Sequence, residues 1–484
     1  MRAGPIPSRN AVLRCTQITM DLGSAPRAFR SRVYVGAASV FLVAGPGCGD
    51  AGKQVAPGPS GAGTMASGAA GAVGAGASGA GAAGGTGNPG GAPGDAGAGP
   101  DAGGIVPGPI DAIIEAMPEG AWKELPDTNM ADVCPPPYSS YPCAAVMSAW
   151  SGGAYDSLRD RLIVWGGGHS DSPYNNVFTF ELASMTWKRW TELPAGMTGD
   201  ATPEIFQDKR VETCGLYPKV TALDIPAAWL TESGYVMPEK CADPSIVAQL
   251  DEQQPRSAHT YGNVTFSAKT GLFYVLGSVG LYPSGQSGTA RVMGFDFATS
   301  KWQRGADNPI PDYGASAADA QGHLWYIAGK KLHEYDPVAD AWTAHPPDGE
   351  GYYYAGSDID TKRNILALTA DGASVSTYAL GDAAKTHAKL TPTGLSAPLD
   401  GAAGLAYSPK LDRFVAYGGG RNLAILDLQS PAWTEVTGSG DDPGPRATNG
   451  TYGRFRYSPA RNVFIVVSST TKNVFLWKPP ATAP

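Results

Sequence analysis

The sequence predicts an all-β fold, a β-propeller of six blades, on three observations. From Ile105 onward, short apolar or alternating runs recur at even spacing with turn residues between them, four runs to a unit. Several units share the same punctuation, a glycine cluster after the second run and a Trp in the fourth. The last unit has only three runs, and a matching fourth stands at the other end, in Ala121-Trp122-Lys123-Glu124-Leu125.

Residues 1–104 stay outside that fold. The chain holds 64 Gly and 41 Pro among 484 residues, an excess concentrated towards its N-terminal end. Arg27, Arg30 and Arg32 precede the apolar run Val33 to Ala44, the length of a signal-peptide core and too short to span a bilayer. Residues 1–48 therefore read as an export segment, with Met20 a more natural start than Met1. The run ends in Gly45-Pro46-Gly47-Cys48. It resembles a bacterial lipobox in its small residues before a Cys, and departs from it in the Gly and Pro. Lipidation of Cys48 and ordinary signal cleavage are both open readings. Residues 49–104 are almost entirely Gly, Ala, Pro and Ser, with no side chains for a core, and read as a flexible tether or a low-complexity spacer.

The 105–484 segment is long enough for one toroidal domain. Blade one is its template: Ser148 to Asp156, Leu162 to Trp165 ending in Gly166-Gly167-Gly168, Val177 to Leu182, and Thr186 to Trp190. Blade two takes Arg256 to Ser267, Gly271 to Gly277, Val292 to Phe297 and Lys301 to Arg304. Blade three takes Tyr313 to Asp319, His323 to Gly329, Lys331 to Asp336 and Ala341-Trp342-Thr343. Blade four, Tyr353 to Leu390, lacks both glycine pair and Trp and is assigned by spacing and alternation. Blade five recovers them in Phe414 to Gly420, Asn422 to Leu428 and Ala432-Trp433-Thr434. Gly450 to Tyr457, Asn462 to Val467 and Asn473 to Trp477 begin the last blade, and Ala121 to Leu125 should complete it, removing the edges an open sheet presents. The count is six, or seven if the 191–254 insertion contributes one.

The glycine pair after the second strand and the Trp opening the fourth resemble the kelch motif. That resemblance implies the galactose oxidase and kelch-like group of propellers. It does not extend to the copper site of galactose oxidase, because every Cys here lies outside the repeats.

Two departures from the repeat point to function. The first is the 191–254 insertion, about ten times a usual connection. It carries Cys214 and Cys241, while Cys134 and Cys143 bracket Pro135-Pro136-Pro137-Tyr138. In an exported protein the four suit two local disulfides, although spacing does not fix connectivity. The second departure is a polar set: Gly168-His169-Ser170-Asp171 with Asn175 and Asn176 in blade one, and Arg256 to Tyr261 opening blade two. Period-two alternation puts Ser257, His259 and Tyr261 on one strand face, within reach of His169. Arg446 to Gly453 in the last blade echoes the pattern, and Arg421 stands in blade five where blade one has His169.

Such a set suits β-elimination of a uronate-containing polysaccharide. Arg256 would neutralise the carboxylate, and His169, His259 and Tyr261 would supply base and acid. Some propeller-fold polysaccharide lyases resemble this in outline and residue type, without a shared motif. The same mouth, with Asn176, Arg421, Arg446 and Tyr452 as contacts, also suits binding of an extracellular polysaccharide or a cell-surface protein without turnover, and this reading is slightly favoured. The net charge of −8 argues mildly against a polyanion unless the arginines are focused.

A metal site from His169, Asp171 and His259 lacks recognisable ligand spacing, and no cofactor is expected. Gly166-Gly167-Gly168 opens no helix and so is a blade turn, not a nucleotide loop. The acidic balance and lack of basic clusters argue against nucleic acid. The expected protein is a monomer, exported, and held at a surface or secreted.

Overall fold

The computed structural model describes residues 105–134, 143–168, 171, 176–191, 255, 257–277, 279–281, 291–310, 312–346, 349, 354–369, 374–397, 399 and 402–484. Within them the chain is a six-bladed propeller of antiparallel sheets, and no seventh blade occurs among the described residues. Blade one is Gly153–Asp156, Arg161–Val164, Phe178–Glu181 and Thr186–Arg189. Blade two is Val264–Ser267, Leu272–Val275, Arg291–Asp296 and Lys301–Asp307. Blade three is Gly314–Ala318, Leu324–Ala328, Lys331–Asp336 and Ala341–His345. Blade four, expected on spacing alone, is Ser357–Asp360, Ile365–Thr369, Val375–Ala379 and His387–Leu390. Blade five is Gly404–Ser408, Arg413–Tyr417, Asn422–Asp427 and Ala432–Thr437.

Blade six is split as expected. Phe455–Ser458, Val463–Val466 and Phe475–Lys478 are completed by Ala121–Glu124, which pairs antiparallel with Trp122 opposite Trp477. Ser439–Gly440 adds a short parallel edge to the same sheet. The first strands of the six blades neighbour one another in a closed ring around the axis.

One local device builds the first turn of most blades. An Asp or Ser at the end of the inner strand accepts from amides two or three residues on: Asp156 from Leu158 and Arg159, Asp360 from Lys362 and Arg363, Ser458 from Arg461. A residue of positive φ then starts the second strand: Asp160, Gly271, Asn364, Asp412 and Asn462. Asn, Asp and Gly tolerate that conformation best. The core lies between blades. Distinct apolar clusters fill each junction, such as Ile163, Trp165, Phe273 and Phe295 between blades one and two, and Trp122, Tyr417, Phe464 and Trp477 between five and six. Helix Pro109–Ala116 lays Ile110 and Ile114 on the junction of blades six and one.

Cys134 and Cys143 form a disulfide, with Cα atoms 5.9 Å apart. Cys48, Cys214 and Cys241 lie outside the described residues, as do the export segment, the tether and nearly all of the insertion.

The structure corrects two strand assignments. Residues 145–148 form a helical turn, so the first strand of blade one starts at Gly153 rather than Ser148. Blade two's inner strand starts at Val264, not Arg256. Ala258–His259 instead pairs with Val279–Leu281 in a separate ribbon. The cause is local: Tyr261 takes φ of +47°, which ends strand geometry and turns the chain.

Candidate functional site

The channel has two unlike ends. The inner strands begin at one end, where the loops leading into each blade and those between second and third strands also gather. Just before the inner strand, five of the six blades place an aromatic residue: Trp150, Tyr261, Tyr313, Tyr354 and Tyr452. Blade five has Ala402 there instead, packed with Tyr261 and Tyr452.

Trp150, Tyr261 and Tyr452 hold φ of 51°, 47° and 45°. Such conformations cost an aromatic residue roughly 1–3 kcal/mol and persist only when neighbours over-determine them. Here they do. Tyr261 donates its amide to the Trp150 carbonyl at 2.7 Å, Asn263 to Thr260 at 2.7 Å, and Thr451 to Ala402 at 2.8 Å. Thr260 Oγ1 accepts from the Gly152 amide at 2.6 Å and Ser257 Oγ from the Gly168 amide at 2.8 Å, pinning blade two's entry loop to blade one.

Tyr261 is the hub. Its ring centroid lies 5.0 Å from Tyr313, 5.4 Å from Tyr354 and 5.8 Å from Tyr452. Burial pushes its phenol well above the usual range, and the neighbouring tyrosines add to the shift, so it stays protonated at neutral pH. Tyr354 is 44% exposed and presents the cluster to solvent.

Beside the hub, His259 Nε2 stands 2.8 Å from Asp171 Oδ2, and its Nδ1 meets the Tyr261 hydroxyl at 3.5 Å. With Asp171 ionised, the consistent tautomer carries its proton on Nε2, leaving Nδ1 to accept from Tyr261. The Trp150 ring covers the imidazole at 4.9 Å. These contacts fix the imidazole plane between Asp171 and Tyr261.

His259 and Tyr261 therefore meet, though through a turn and not through strand alternation. Tyr452 joins them, fully buried, as a wall rather than a contact surface. Asn176, expected to contact ligand, is also buried, and its amide donates to the Thr191 carbonyl at 2.5 Å at the root of the insertion. Arg446 Nη1 donates to the Ala447 carbonyl at 3.1 Å, which holds the guanidinium near its own loop. Arg421 is exposed, and its carbonyl receives Trp122 Nε1 at 3.1 Å. His169 and Arg256 lie outside the described residues.

Of the other histidines, His323 and His345 flank Glu334 at 2.7 Å each, and His387 pairs with Ser376 at 2.8 Å. Burial lowers the pKa of His333. Among the described residues no cluster of three or more His, Cys, Asp or Glu is placed to hold a metal ion.

Trp150, Tyr313 and Tyr354 are absent from the sequence-based site. An aromatic one or two residues ahead of a Gly at five of the six blade entries is the signal that reveals them. No protein-family model and no curated protein sequence matches this chain.

Proposed function

We propose that this kelch-like propeller binds an extracellular polysaccharide at the aromatic end of its channel. The observation that carries the reading is the convergence of five aromatic residues from five blades, with Trp150 and Tyr354 at its accessible side. Flat rings with polar edges suit the faces of sugar rings. The signal-like segment before Cys48 and the 49–104 tether support work outside the cytoplasm, at a surface. Retention of the full chain on immobilised uronate-containing and neutral polysaccharides tests it. Tyr354→Ala and Trp150→Ala are expected to weaken retention by about tenfold each, the worth of one aromatic contact. Unchanged retention in both would overturn the reading.

The alignment of Asp171, His259 and Tyr261 favours a second reading, polysaccharide lyase activity. In it, His259 Nδ1 takes the proton beside the uronate carboxylate, a carbon–carbon double bond forms as the neighbouring carbon–oxygen bond to the leaving sugar breaks, and Tyr261 gives its phenol proton to that leaving oxygen. Arg256 would offset the carboxylate charge. Incubation with pectate and alginate, following ultraviolet absorbance of an unsaturated uronate, decides it. Turnover lost in His259→Ala with retention preserved would support elimination. No new absorbance in the parent leaves binding alone.

A further inference from the structure

The opposite end of the channel, where the inner strands finish, holds a cavity of about 390 Å³ reached by all six blades. Arg456, on the inner strand of blade six, lines the inner side of this cavity and is 8% exposed. Its Nη1 donates to the Ser357 carbonyl at 3.0 Å and the Leu405 carbonyl at 3.5 Å, and Nη2 to the Gly153 carbonyl at 3.4 Å. Those carbonyls belong to blades four, five and one, so the guanidinium sits near the axis.

No carboxylate among the described residues stands within ion-pair distance of Arg456. Asp358 lines the same cavity and acts on it only at longer range. The Asp358 carboxylate is occupied on the protein side, accepting from the Tyr407 amide at 2.8 Å and from its own strand at Ile359. Burial holds its carboxyl above the usual range while Arg456 opposes that shift.

Arg454, two residues away on the chain, provides the contrast. It is enclosed by the carbonyls of Ser151, Val467 and Gly450 and lines no such space. Tying the entry of blade one to blade six accounts for Arg454. Arg456 is a buried cation on the cavity wall with no contact counter-ion among the described residues, which is costly unless something answers it.

The surroundings define the answer. Thr265, Thr361 and Ser157 line the cavity, and their hydroxyls make no hydrogen bond among the described residues. Tyr407 and Phe266 contribute rings, and the volume lies at the low end for small-molecule sites. We propose that this end of the channel is a second binding site, for a hydroxylated carboxylate no larger than a monosaccharide. Its carboxylate rests on Arg456 in a charge-assisted pair, and its hydroxyls meet Asp358 and the threonines. The site does not depend on the aromatic mouth and adds a small-solute ligand to a protein read there as a polymer binder.

Isothermal titration of the full chain with D-glucuronate and with D-glucose tests it. Glucuronate is expected to saturate, and glucose to bind at least about tenfold more weakly, since it lacks the group that Arg456 holds. Ala320→Trp fills the rim from an exposed position and is expected to cut glucuronate affinity at least about tenfold, as is Arg456→Lys, which loses the planar fork. Tyr354→Ala, at the other end, should leave glucuronate binding unchanged. No saturation, equal affinity for glucose, or parent-like binding by Ala320→Trp would overturn the proposal. So would loss of binding in Tyr354→Ala, which would place glucuronate at the mouth. If Arg456→Lys fails to fold, Ala320→Trp decides alone.

Discussion

The ring closes on a contact that one methyl group should break. Gly453, at the entry of blade six, faces Gly153 on blade one. A Cβ on Gly453 would stand 1.9 Å from the Gly153 carbonyl oxygen and 2.6 Å from Arg456 Nη2. Ordinary contact begins near 3.4 Å, so the two inner strands must part by about 1.5 Å. The nearest obstacle is the Gly153 backbone, which no rotamer relieves. Forced separation in a packed core costs roughly 1–3 kcal/mol, and this case belongs at the upper end because it also loosens the Arg456 contacts. About 3 kcal/mol lowers the folding equilibrium by roughly two orders of magnitude. Urea unfolding of Gly453→Ala, followed by tryptophan fluorescence, measures it. Gly381→Ala is the control: a Cβ there meets nothing within 4 Å, and its midpoint should stay within about 0.5 kcal/mol of the parent. Equal midpoints for the two variants would refute the argument that close approach of blades six and one holds the ring shut.

Two further outcomes follow from buried and paired charge. Burial pushes the Arg454 guanidinium down to about 10, still charged at neutral pH, while it serves three carbonyls. Arg454→Met should cost roughly 3–5 kcal/mol in the same urea assay, with Arg454→Lys intermediate, because one ammonium cannot replace a fork. Asp412 accepts two guanidinium bonds from Arg363 across blades four and five, at 2.7 and 2.5 Å, which hold its carboxyl well below the usual range. Its contribution is therefore complete above the unfolded carboxylate value of about 4 and is lost as pH falls through the lower folded value. Asp412→Asn lacks that contribution, so its stability should fall less than the parent's between pH 5 and 2.5. An equally steep fall in both proteins would show that the pair does not couple to folding.

Much of the fold was legible in local chemistry. Alternation gave the strands, and Asp156, Asp360 and Ser458 mark first turns by the amides they accept. Trp122 in Ala121-Trp122-Lys123 matched Trp342 and Trp433 closely enough to locate the closing strand 299 residues from Arg421, whose carbonyl its indole reaches. The site was legible only in part. His259 and Tyr261 stand out as polar or aromatic residues that the repeat does not need. Their geometry was misread because a left-handed Tyr261 cannot be told from a strand residue by alternation.

The sequence by itself determined the repeat, the blade count to within one, the split sixth blade and the candidate mouth, since each depends on contacts between residues near in the chain or on copies of one pattern. Only the tertiary structure decided which aromatics meet at Tyr261, that Asp171 is the partner of His259, and that Arg456 ends beside Asp358 in a cavity. Those meetings join residues from different blades around an axis. Their distances are set by ring closure, a property of all six sheets together that no single repeat encodes.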